Sequence, residues 1–355
     1  MVDATTAEHT RGIRTVAEGI LRGLAIEASG RVLVAAGPTL DVPAPLEVRR
    51  VALARSRPGR LLYQRLLLPL DAGAGGGRSH GVDRVLLLDS YAPLVRPTKV
   101  RYAALVHDVL PLSHPEYWPS AKRLVKRTGF AALSRAGATI FTSSAFNAGE
   151  IERITGQRAR TVTFGCGQLT DEQADEALRT PLRRRESYVV FVGALEPRKG
   201  LMTLVEIFER VARHAADLQL LIVGTGSTAY TSEVRRRVAA CRVGSRIEIV
   251  SRATRDDVLE LVSTAGALLF PTRAEGFGIP ILEALALGTP VVASDLPSLR
   301  SWADTAVAYA PPDVPEAWVA PALAALDATE AARRSGQELA RSYRWRRCAS
   351  QVLRF

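Results

Sequence analysis

Between residues 187 and 294, short apolar runs alternate with amphipathic stretches, and this rhythm restricts the fold more than any other feature of the chain. SYVVFVG (187–193), LQLLIVG (218–224), RIEIVS (246–251), ALLFP (267–271) and VVAS (291–294) are hydrophobic segments of strand length. Runs without polar alternation suit strands covered on both faces. Between them, RKGLMTLVEIFERVARHA, EVRRRVAAC, DDVLELVSTA and PILEALAL carry apolar residues at helical spacing. Strands that alternate with helices need crossover connections, which predicts an α/β fold with a parallel, doubly wound sheet.

The N-terminal half keeps the same rhythm less regularly. GIRTVAEGILRGLAIEA and KRLVKRTGFAALSRA read as helices; RVLVAAG (31–37), DRVLLLD (83–89), VRYAALVHD (100–108) and ATIFTSS (138–144) read as strands. TDEQADEALRTPLRRRES is polar, charged and proline-containing, and places a boundary near residue 185. The expected organisation is one domain over 1–184, a second over 185–339, and a terminal segment over 340–355. The glycine-rich DAGAGGGRSHG (71–81) reads as a mobile loop. Two such domains are expected to face each other across a cleft at the carboxyl ends of their strands, where α/β sheets bind ligands.

Composition narrows the setting. A chain of 355 residues with 47% apolar content can fill two cores. It has no apolar run long enough to span a bilayer and no basic stretch leading into an apolar signal segment. Three widely spaced cysteines, Cys166, Cys241 and Cys348, read as reduced thiols of a cytoplasmic protein. The net charge of +11 is mostly arginine. It bears on partners rather than fold, and suits nucleic acid, anionic lipid or a phosphorylated small molecule.

Two segments carry candidate chemistry. In FVGALEPRKG (191–200), Gly193 ends a strand, and Arg198 and Lys199 stand at the entrance to the next helix. Cations beside helix-start N–H groups suit a diphosphate; a solvated pair of basic residues is the structural alternative. In EGFGIPILE (275–283), Glu275 is expected in a loop beyond a strand and Glu283 in the first helical turn. Pro280 suits the first helical position and Gly288 the C-terminal cap. Gly276 and Gly278, on either side of Phe277, let backbone approach a ligand closely. Buried carboxylates need partners. At a ligand edge they suit the paired hydroxyls of a sugar or ribose, and a capping role for Glu283 is the structural alternative.

FVGALEPRKG together with EGFGIPILEALALGTPVVASDLPSL resembles the donor-binding half of the family 4 glycosyltransferases, retaining enzymes of the GT-B fold. The resemblance implies that Glu283 holds the ribose of a nucleotide sugar, Glu275 holds the sugar hydroxyls, and Arg198 and Lys199 neutralise the diphosphate. Gly224, in GTGSTA (224–229), would lie near the nucleotide. The same segment also mimics part of a dinucleotide fingerprint, with Glu248 downstream. VHDVLPLSHPEYWP resembles the family segment whose histidine, here His107, reaches the donor sugar, with Asp108 beside it on the acceptor side. The opening residues resemble the family's first strand, acceptor loop and first helix, although the strand is short and one glycine, Gly12, stands where members often have two. SYRWRRCASQVLRF resembles a terminal helix that crosses back to the first domain.

The implied activity is transfer of a hexose to an acceptor hydroxyl in bacterial polysaccharide or glycolipid synthesis, with GDP-mannose preferred to a UDP- or dTDP-sugar. No Asp-x-Asp motif is found, and no metal or other cofactor is expected. Lys122, Arg123, Lys126 and Arg127 form either a solvated helix face or a patch for an anionic membrane or lipid-linked acceptor. A nucleotide-sugar epimerase or phosphorylase of the same fold remains an alternative, as does a basic nucleic-acid-binding protein. The dispersed charge and the lack of a nucleic-acid module argue against the last.

Overall fold

The apolar runs become the parallel strands of two separate sheets. In this computed structural model, residues 1–8, 11–68, 82–90, 100–303 and 305–355 are described. The DAGAGGGRSHG stretch lies outside them. The chain divides into two units, Met1–Gly165 with Arg344–Phe355, and Cys166–Tyr343.

The first unit holds β1 (Val2–Asp3), β2 (Leu33–Ala36), β3 (Glu47–Arg50), β4 (Arg84–Leu87), β5 (Arg101–Leu105), β6 (Thr139–Thr142) and β7 (Ala159–Thr161), in the order β3-β2-β1-β4-β5-β6-β7. Its helices are α1 (Arg11–Glu27), α2 (Arg57–Leu62), α3 (Leu110–Ser113), α4 (Ser120–Arg135) and α5 (Ala145–Thr155). The second unit begins with α6 (Asp171–Arg179), followed by β8 (Tyr188–Val192), α7 (Leu201–Val211), β9 (Gln219–Val223), α8 (Thr228–Ala239), β10 (Ile247–Val250) and α9 (Arg255–Thr264). It continues with β11 (Ala267–Phe270), α10 (Ile279–Ala286), β12 (Val291–Ser294), α11 (Pro297–Ala303), β13 (Ala308–Ala310), α12 (Val319–Leu326) and α13 (Glu330–Arg341). The chain then returns to the first unit with α14 (Trp345–Val352).

The second sheet runs β10-β9-β8-β11-β12-β13, and all pairs in both sheets are parallel. In each sheet the order reverses beside the first strand, giving a switch point between β1 and β4 and another between β8 and β11. The doubly wound expectation therefore holds for both units. Every residue of β8 and of β11 is buried, as their uninterrupted hydrophobicity requires.

The division falls between Gly165 and Cys166, about twenty residues before the boundary expected near 185. The charged stretch read there as a linker contains α6, whose N-terminus is closed by a reciprocal Thr170–Gln173 capping box. This helix packs on α10 and α13, so it belongs to the second unit. The return to the first unit comes at Arg344 rather than near 340.

Helix α14 reaches the first unit because α1 offers it a smooth face. A Cβ on Gly19 would lie 2.1 Å from the Trp345 ring, and one on Gly23 would lie 2.5 Å from the Trp345 carbonyl oxygen. Gly12, on the same helix, has open space around it. Cys166, Cys241 and Cys348 are all buried and outside any disulfide. Among the described residues, no helix is long and apolar enough to cross a membrane. Gly19→Ala should lower stability by about 2 kcal/mol through overpacking. Gly12→Ala should be neutral or stabilising by up to about 1 kcal/mol through helix propensity. Urea unfolding of the two variants checks the contrast.

Candidate active site

Strands β8 and β11 are neighbours at the switch point of the second sheet, so the loops leaving them start side by side. Gly193 ends β8 and donates its N–H to the Val223 carbonyl at 3.0 Å. Gly224 passes so close that a Cβ there would lie 1.8 Å from the Gly193 oxygen. The rest of GTGSTA is tied to the same loop, since Leu195 bridges Gly226 and Ser227 caps α8. Glu248, the acidic partner in the dinucleotide alternative, lies exposed on the edge strand β10.

Pro197–Lys199 form a short 3-10 turn, and Gly200 takes φ +67° before α7 begins. A Cβ on Gly200 would meet the Pro271 oxygen at 2.0 Å, so backbone touches backbone here. The loops are laced together further on. Arg273 N–H donates to the Arg198 carbonyl at 2.7 Å, and Arg198 Nη1 donates to the Ala274 carbonyl at 3.1 Å.

This lacing sets both cations against Glu275. Lys199 Nζ donates to Glu275 Oε2, and Arg198 Nη1 lies 3.6 Å from the same oxygen. Arg198 also meets Glu196 at 3.0 Å. Lys199 is buried, with its ammonium 4.7 Å from the centre of the Phe270 ring. Burial pushes the Glu275 carboxyl up, but the Lys199 and Arg198 charges outweigh it and hold the group below the usual range. Burial pulls the Lys199 ammonium down, against the stabilising charge of Glu275. The structure brings Arg198, Lys199 and Glu275, each singled out in the sequence, into one cluster, in which Glu275 meets the cations rather than a hydroxyl.

Glu283 has other partners. It is the fifth residue of α10 and so lies in the second turn, not the first, and Pro280 is the second helical residue rather than the first. Gly288, at φ +73°, follows the Leu287 cap as expected. Glu283 is 2% exposed. Its Oε1 accepts the Gln168 N–H at 2.7 Å, and Gly167 sits so near that a Cβ would lie 2.2 Å from that oxygen. Burial raises the carboxyl to about 7, opposed by the Gln168 hydrogen bonds and the Arg255 charge. Gln168 was missed in the sequence, because it precedes the contact by 115 residues and sits in a stretch with no periodic signal.

His107, Asp108 and Gly12 belong to the first unit, the remaining expected site residues to the second. His107 follows β5, and its Nε2 lies 3.2 Å from the Leu88 carbonyl oxygen. A carbonyl only accepts, so Nε2 carries the proton. Burial lowers the pKa of the imidazole, against the Asp89 and Asp108 charges, and favours the neutral ring. Asp108 Oδ1 accepts the Leu110 N–H at 3.0 Å and so steadies the start of α3. Lys126 corrects the expected surface patch. Its side chain is buried, 3.6 Å from the buried Asp89 carboxylate. It shares the inward stripe of α4 with Gly129, Phe130 and Leu133, leaving Lys122, Arg123 and Arg127 for the outer side.

Residues 174–339 match the family described as Glycosyl transferases group 1. That span is most of the second unit and holds every charged residue of the cluster. The matched span lies within the second unit, and with the relatives below it supports a glycosyltransferase, as the two motifs implied. It is 26% identical to the O-antigen chain mannosyltransferase B of Escherichia coli over 267 residues, 71% of this chain and 69% of that one. It is 32% identical to the phosphatidyl-myo-inositol mannosyltransferase of Mycobacterium tuberculosis (strain H37Rv) over 199 residues, 53% of this chain and 51% of the relative. The match thus spans about half the length of the mycobacterial enzyme. Among solved structures, sucrose-phosphate synthase from Thermosynechococcus elongatus superposes with a TM-score of 0.72 at 18% identity, over 97% of this chain and 92% of that one. This likeness shows the fold, and the glycosyltransferase has the two doubly wound units of GT-B architecture.

The Glu283 environment fixes a pH dependence. A carboxyl raised from 4.5 to about 7 on folding holds its proton more tightly folded than unfolded. The associated stability is full below about pH 4.5 and is lost as pH rises through 7, by about 3 kcal/mol. Glu283→Gln escapes that loss, so its melting temperature should exceed the parent's at pH 8, and the advantage should shrink by pH 4.5. Melting curves across that range check it.

Proposed function

We propose that this glycosyltransferase moves a hexose from a nucleoside diphosphate to an acceptor hydroxyl, with retention at the anomeric carbon and with GDP-mannose as the preferred donor. The observation that carries this reading is the Arg198–Lys199–Glu275 cluster at the β8/β11 switch point. The mannosyltransferase names of the two relatives support the choice of sugar.

In this reading, Arg198 and Lys199 take the charge of the departing diphosphate, a task that needs no metal. Until the donor arrives, Glu275 keeps the buried Lys199 ionised and oriented. On binding, the phosphate oxygens share the cations and Glu275 turns an acceptor oxygen to the sugar hydroxyls. Gly193, Gly224, Gly276 and Gly278 keep the walls thin enough for the donor's approach, and Glu283 receives the ribose hydroxyls. The bond from the anomeric carbon to the phosphate oxygen breaks with its electron pair on phosphate. The acceptor oxygen attacks from the same face, and its proton passes to the departing phosphate. Fixed cations aimed at a growing negative charge are worth about 3 kcal/mol each, about a hundredfold in rate.

Arg198→Ala and Glu283→Ala should each reduce hexose transfer by a hundredfold or more while leaving the far-ultraviolet circular dichroism unchanged. Parent-like turnover in both variants would remove the site. GDP should raise the melting temperature more than UDP or dTDP, and selective stabilisation by UDP would reverse the choice of mannose.

A lipid-linked acceptor gains support from the outer side of α4, where exposed Leu124 stands among Lys122, Arg123 and Arg127. Cosedimentation should favour anionic over zwitterionic vesicles and should weaken in an Arg123→Glu, Arg127→Glu double variant. Equal recovery with both vesicle types would remove the membrane contact.

A further inference from the structure

The loop from Thr272 to Gly278 carries Glu275 and leads into α10, yet it has no strand or helix of its own to hold it. Its front half is laced to the Arg198 loop: Thr272 Oγ1 donates to the Arg198 carbonyl at 3.1 Å, and Arg198 holds Ala274. Its rear half is anchored by α11. Trp302 Nε1–H donates to the Phe277 carbonyl at 2.8 Å. The indole also stacks on the Phe277 ring, with centroids 4.6 Å apart and planes 18° from parallel. Tyr343 closes the other side, its ring centre 5.6 Å from Trp302 and 6.1 Å from Phe277. Gly278 completes the contact: at φ +84° it lets α11 approach until a Cβ would lie 2.9 Å from Leu299.

A buried carbonyl beside two glycines needs a fixed donor if the loop is to keep one conformation. A stacked aromatic pair adds a preferred geometry that a smaller apolar residue cannot supply. The geometry points to Trp302 as the positioning residue of the donor-sugar subsite. By holding Phe277 through both ring and carbonyl, it fixes the direction in which Glu275 presents its carboxylate. Trp302 touches no reacting atom in this scheme; it acts through Phe277. The inference rests on the assignment of Glu275 to the sugar hydroxyls made above. It extends that assignment to a residue outside both sequence motifs.

The consequence is selective. Phosphate and ribose contacts come from Arg198, Lys199 and Glu283, whose supports do not include the indole. Loss of Trp302 should therefore weaken binding of the hexose conjugate while largely sparing the bare nucleoside diphosphate. The test is calorimetric titration of the full chain with GDP and GDP-mannose, and with UDP and UDP-glucose, in the parent, Trp302→Ala, Trp302→Phe and Glu275→Gln. Trp302→Ala should reduce the preference for the conjugate over the bare diphosphate tenfold or more, with under threefold change for the diphosphate itself. Trp302→Phe keeps a ring against Phe277 but loses the N–H, and should lose at least threefold of the preference. If Glu275→Gln loses the preference and both Trp302 variants keep it, the positioning role is overturned and the site assignment stands. If Glu275→Gln keeps it too, or the parent has none, the sugar assignment fails and takes this inference with it. Should Trp302→Ala not fold, Trp302→Phe decides alone: a threefold loss supports the role, and a parent-like preference overturns it.

Discussion

The second unit is organised around one buried electrostatic contact, the carboxylate of Glu275 shared by Lys199 and Arg198. The three residues come from two loops that leave adjacent parallel strands, and beyond the single 3-10 turn at Pro197–Lys199 neither loop has regular structure to set its path. The ion pairing joins them, with close-packed backbone where Gly200 meets Pro271. Removing Glu275 would leave the buried Lys199 ammonium without its carboxylate, a cost of about 3–5 kcal/mol. Such a cluster is a poor source of net stability compared with apolar packing, which suggests a functional reason for placing it at the switch point.

The two glutamates of the nine-residue motif illustrate how environment separates like groups. Glu275 sits among cations and stays ionised. Glu283, more fully enclosed, has backbone and amide donors from Gln168 and a more distant arginine, and its proton affinity rises toward neutrality. Sequence spacing alone makes them look equivalent, whereas the structure gives one a fixed charge and the other a charge that varies near physiological pH.

How much could be read from the chain follows from what each element buries. Strands β8, β9, β11 and β12 announce themselves because both faces are covered and almost every residue is apolar. Three edge strands do not: β3 is EVRR, β7 is ART, and β13 is three residues long, so none of these has a hydrophobic run to find. Helix α6 was hidden for a related reason, since most of DEQADEALR faces solvent and resembles a linker. In the site, contacts within the two motifs were legible because their residue types fit one chemistry. Gln168 on Glu283 and Trp302 on Phe277 were not, because each is a contact distant in sequence made by a residue whose type carries no specific signal. Lys126 shows the opposite failure: a lysine on an amphipathic helix reads as solvated, yet one turn of helix phase puts it beside Asp89 in the interior.

The return of α14 to the first unit separates the order of synthesis from the order of completion. Ribosomes release residues 1–165 early, but the helix that covers the glycine face of α1 is translated only after the whole second unit. Until then that face lacks its tryptophan, and the first unit waits with a groove open to water or to a chaperone. The second unit, continuous in sequence, meets no such delay, so the half that carries the cation cluster is the first able to reach its final packing.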